Sequence, residues 1–122
     1  MTDRTLTVSR HSDPAGVTVV AVTGELDHHT APGLNQAIQD IPFGPDTPLV
    51  IDLTGLSYCD STGITVLITA YNRAQQAGTR LLLAGLSADL MRVFRIVGLD
   101  QIFVFQPTLD AAIAAVAPPS GH

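Results

Sequence analysis

From residue 49 onward, short apolar runs alternate with amphipathic stretches, and a chain written in that rhythm has few ways to bury itself. Residues 49–53, interrupted by Asp52, read as a buried central strand. In Ser61–Ala77, Ile64, Leu67, Ile68, Tyr71 and Ala74 recur at spacings of three and four, and Gly78 stands where a left-handed helix cap belongs. Leu81–Ala84 is the next strand. Ser87 then caps a helix whose inward stripe is predicted as Leu90, Val93, Phe94 and Val97, ended by Gly98. Residues 102–105 form the last predicted strand, and Thr108 caps a final helix with Leu109, Ala112, Ile113 and Val116 inward.

The first third of the chain follows a different pattern. Leu6 and Val8 alternate with Thr5, Thr7 and Ser9, the period of a strand with one wet face. Residues 11–16 carry a turn composition, and the β-branched run at 17–22 closes a hairpin. Thr30 is the predicted cap of a helix with Pro32 in its first turn and Leu34, Ala37, Ile38 and Ile41 inward, ending near Pro42. The order ββαβαβαβα predicts an α/β fold: a mixed sheet, largely parallel after its first strands, packed with amphipathic helices. One domain over 1–117 suits 122 residues, with 118–122 expected as a flexible tail. Loops leaving the carboxyl ends of parallel strands gather at one edge, so the loops after the second and third strands are the expected place for function.

Composition narrows the chemistry. The net charge is −5, and all six basic residues are arginine. Without lysine there is neither a Gly-Lys-Ser/Thr phosphate loop nor a Schiff base. An acidic chain with scattered arginines lacks the basic stripe that nucleic acid or anionic lipid requires, so neither is expected as a partner. The single cysteine, Cys59, builds no internal disulfide, and the start of the chain lacks a secretory pattern; a cytoplasmic location is expected.

The two candidate loops carry Gly24-Glu25-Leu26-Asp27-x-x-Thr30-Ala31-Pro32 and Asp60-Ser61-x-Gly63. In order and spacing these resemble the two signature stretches of STAS-domain anti-sigma factor antagonists, bacterial switch proteins. The strand 50–53 and the run 94–99 extend the likeness over nearly the whole chain. The resemblance implies that Ser61 is phosphorylated by a serine kinase that is also the anti-sigma factor, that a serine phosphatase reverses this, and that the unphosphorylated form binds the kinase and releases a sigma factor. Thr62 departs from the serine often found beside the acceptor and is a secondary candidate. Asp27, His28, His29, Thr30, Asp60, Ser61, Thr62 and Gly63 form the expected partner-binding edge. No cofactor, metal or catalysis is expected.

The residues also admit plainer readings. Asp60 is an expected N-cap for the helix that Ser61 begins. Asp27 hydrogen-bonds its own loop, contacts the partner, or does both. Gly63 avoids crowding either the kinase backbone or the neighbouring loop. Asp52 lacks the acidic pair and lysine of a receiver-type phosphoacceptor and reads as structural. Adjacent histidines such as His28 and His29 rarely converge on one metal, and Cys59 has no cationic neighbour in sequence to activate it. Arg92 and Arg95, three apart, read as a solvated face that an acidic partner surface could use. Ser61 lies outside a Gly-x-Ser-x-Gly elbow, so hydrolase chemistry is not expected. STAS-like domains also serve as unphosphorylated accessory subunits of transporter ATPases or scaffolds, which is the rival to the switch.

Overall fold

A computed structural model describes residues 5–117. The predicted tail at 118–122 lies outside the described residues. Five strands, β1 (Leu6–Ser12), β2 (Thr18–Leu26), β3 (Leu49–Cys59), β4 (Leu81–Ala84) and β5 (Val104–Gln106), form one sheet in sequential order. β1 and β2 pair antiparallel and every later neighbour pairs parallel. The helices are α1 (Ala31–Gln39), α2 (Ser61–Ala77), α3 (Ala88–Ile96) and α4 (Leu109–Val116), with a single 3₁₀ turn at Leu99–Gln101 before β5. The mixed α/β architecture read from the sequence is therefore the one observed.

Alternation along the central strands splits the core in two. Val20, Leu49, Ile51, Leu53, Leu81 and Leu83 join the larger cluster, which also takes in Leu34 and Ile38 of α1, Leu67 and Ala70 of α2, and Leu90 and Phe94 of α3. Val19, Val50, Leu82 and Ala84 face the other way and are covered by Ala112 and Val116 of α4.

Several boundaries differ from expectation. β1 continues through His11 and Ser12, which pair with Val19 and Thr18, because the turn begins only where Asp13 accepts the Ala15 N–H and its own N–H bonds Val17. β2 and β3 run well past residues 22 and 53 to a final pair, Leu26 with Cys59. Two bulges in their ladder absorb the longer β3, which has 11 residues against 9 in β2. Ser87 and Thr108 cap α3 and α4 as predicted, and Gly78 ends α2 at φ 76°. Thr30 stands at the N-cap position of α1 as predicted, but its side chain makes no cap bond, because its hydroxyl is used elsewhere. On α3, Val93 and Val97 are not inward: they are 41% and 55% exposed, and Ile96 beside them is 77% exposed. Leu90 and Phe94 alone reach the core from that helix. The last strand starts at Val104, since the 3₁₀ turn takes up the chain through Gln101 and Ile102 closes it.

Candidate functional site

The last rung of the β2–β3 ladder brings the two loops together. Beyond it the Asp60 N–H donates to Leu26 O at 3.1 Å, so the second loop begins hydrogen-bonded to the end of the first. Asp60 has extended backbone and accepts the Gly63 N–H on Oδ1 at 3.1 Å, the N-cap expected of it. Ser61 and Thr62 then occupy the first turn of α2, both exposed, and neither hydroxyl has a partner among the described residues. Gly63 is buried. A methyl group at this position would stand 2.5 Å from Leu26 Cγ and 3.0 Å from Cys59 Sγ, so the glycine answers to the neighbouring loop.

The first loop is stiffened from within. Asp27 is only 4% exposed, and its Oδ1 accepts the N–H groups of His29 at 2.9 Å and Thr30 at 3.0 Å. The Thr30 hydroxyl accepts the Asp27 N–H at 2.9 Å and donates to Glu25 O at 2.8 Å, bridging the strand end to the loop. That bridge is why the Thr30 hydroxyl makes no cap bond, and the Asx arrangement is the own-loop role considered for Asp27. His28 and His29 are left exposed, their rings 4.1 Å apart at centroid. Among the described residues no group of three or more His, Cys, Asp or Glu side chains could hold a metal ion.

His28 and Thr62 line one shallow groove of about 340 Å³ between α1 and α2, together with Pro32, Asn35, Thr65 and Thr69. Sequence reasoning named His28 and Thr62 for the site but not the other lining residues. The signal was available in Thr62, Thr65 and Thr69, which repeat at helical spacing as a hydroxylated stripe. Thr65 and Thr69 turn their hydroxyls back to the carbonyls of Ser61 and Thr65, each at 3.0 Å.

Cys59, two residues before Ser61, is buried, and desolvation together with the nearby Asp60 charge pushes its thiol from 9.0 up to about 12. It is inert packing, as its sequence context suggested. Asp52 accepts the Thr54 N–H at 3.1 Å and the Thr54 hydroxyl at 2.6 Å, a structural role within β3.

The chain resembles known proteins in sequence and fold. Residues 10–112 match the STAS domain. An anti-sigma-B factor antagonist of Listeria monocytogenes is 41% identical over 83 residues, covering 68% of this chain and 73% of that protein. The anti-sigma-F factor antagonist RsfB of Mycobacterium tuberculosis is 30% identical over 112 residues, covering 92% and 88% respectively. A crystal structure of an anti-sigma factor antagonist from Mycobacterium paratuberculosis superposes with a TM-score of 0.83 at 33% identity, over 93% of this chain and 96% of that one. With the STAS domain matched over residues 10–112, most of its length, the chain belongs to the STAS domain family.

Proposed function

We propose that this protein is an anti-sigma factor antagonist: unphosphorylated, it binds an anti-sigma factor that is also a serine kinase and thereby frees a sigma factor, and phosphorylation of Ser61 blocks that binding. The observation that carries this reading is Ser61 itself, exposed and with an unengaged hydroxyl at the start of α2, where both signature loops meet. A side chain there is open to a kinase, and a phosphate there meets free backbone N–H groups and the positive end of a 17-residue helix. The fold tolerates the modification. A partner contact does not, because a dianion of roughly −1.5 to −2 charges cannot be desolvated without new cationic groups.

The rest of the contact surface in this reading is the exposed pair His28 and His29, Thr62, and the groove between α1 and α2. Asp27, Thr30, Asp60 and Gly63 hold that surface in place from beneath through their loop and cap bonds. The protein acts by association and needs no catalysis of its own. A serine phosphatase would reset it.

Intact-mass and peptide mass spectrometry after incubation with ATP and each small anti-sigma-type serine kinase of its source tests this directly. One phosphate on Ser61, absent from Ser61→Ala, is the expected result. Ser61→Ala retains kinase binding and escapes control, while Ser61→Glu binds more weakly. No modification by any such kinase, or lost binding by a folded Ser61→Ala, overturns the proposal in favour of an accessory-subunit role.

A further inference from the structure

Three arginines serve the fold. Arg10 Nη1 donates to Asp40 O at 3.1 Å, Arg80 Nη1 to Ala115 O at 3.0 Å, and Arg73 Nη1 to Ile38 O at 2.8 Å while its guanidinium lies 4.4 Å from the Phe43 ring centroid. Arg92 and Arg95, one turn apart on α3, do none of this: neither has a hydrogen bond or ion pair among the described residues, even though Asp89 lies one turn before Arg92. Both line a cavity of about 480 Å³ where α3 passes the carboxyl ends of β4 and β5, well inside the range of small-molecule sites.

The lining is segregated. The arginines are its exposed, cationic part, whereas Leu86, Met91 and Phe105 are half-buried and apolar, with Gln106 half-buried beside them. On a chain of net charge −5, two unengaged guanidinium groups beside an apolar hollow suit one compact anionic head rather than an extended polyanion. A carboxylate matches the guanidinium fork, and Met91 adapts to the shape of an aliphatic body.

We infer that this cavity binds a small soluble amphipathic carboxylate, its head held by Arg92 and Arg95 and its apolar body resting on Leu86, Met91 and Phe105. The inference is independent of Ser61 phosphorylation. It is tested by titrating the isotope-labelled protein with octanoate while following backbone amide shifts, with acetate as head alone and octanol as body alone. Saturable shifts confined to Ala88, Met91, Phe105, Gln106 and their neighbours are expected with octanoate, and markedly weaker binding with either control. Arg92→Gln combined with Arg95→Gln should weaken octanoate by about tenfold or more, whereas Arg10→Gln leaves it unchanged; thermal melts establish that each variant is folded. Absence of saturable shifts, equal binding of acetate, or indifference to the double substitution overturns the assignment. So does a Glu-Leu-repeat peptide that moves these resonances where octanoate does not, since the cavity would then be part of a protein interface.

Discussion

At Gly63 two opposed effects can be weighed. Alanine in place of an exposed helical glycine gains about 1 kcal/mol, but here the added methyl meets Leu26 and Cys59 at 2.5 and 3.0 Å, and overpacking of a closed site costs about 1–3 kcal/mol. Gly63→Ala is therefore expected to lose about 1–2 kcal/mol in urea unfolding, and an equally or more stable variant would contradict the packing described. Cys59 gives a second residue-scale prediction. Iodoacetamide at about pH 8 should leave the native chain unmodified over a time that fully alkylates the guanidinium-unfolded chain, because the reactive thiolate is suppressed only in the fold. The sign of the linked pH effect follows: the unfolded thiol ionises first, so this group lowers stability as pH rises through the ordinary thiol range toward about 12. Sequence alone had identified Asp60 as a cap and Cys59 as inert, since both inferences need only adjacent residues. It left Gly63 between two explanations and placed Thr30 at the cap without foreseeing that its hydroxyl bonds Glu25 instead, because the contacts that decide those cases come from Leu26 and Glu25 across a loop.

At the scale of elements, α2 was legible to the residue, since a cap, a regular stripe and a terminal glycine all agree. β3 was cut short because Thr54 and Gly55 look like a turn, and only pairing with Thr23 and its neighbours keeps the chain extended through them. α3 was misjudged for a different reason: positions 90, 93, 94 and 97 satisfy helical period, but a nine-residue helix lying on the sheet's flank has room to bury only Leu90 and Phe94. The corrected face makes a sharp prediction. Val97→Gln should change stability by no more than about 0.5 kcal/mol, whereas Phe94→Ala should cost about 3–5 kcal/mol. Comparable losses for both, measured by denaturant midpoint, would restore the original stripe.

Across the whole molecule, the two faces of the sheet are unequally clothed. Three helices share one face, while α4 alone shields Val17, Val19, Val50, Leu82 and Ala84 on the other. A chain ending at Pro107 should consequently show a lower urea midpoint and strong binding of a hydrophobic dye, and unchanged values would mean that this second core is dispensable. The mixed pairing was legible in advance from a hairpin followed by strand-helix alternation, whereas the sequential order of the strands across the sheet was not read from the sequence. The two-sided core was less so, as it depends on which side of the sheet each connection takes.

The joint between Leu26, Cys59 and Gly63 also bears on how such a switch could be moved between proteins. The serine segment does not carry its own footing: its first N–H is held by the other loop, and its glycine is shaped to a leucine 37 positions earlier. Grafting residues 60–63 alone onto a foreign sheet would transplant a phosphorylation motif without the surface it controls. The portable unit is the pair of loops together with the ladder end that joins them.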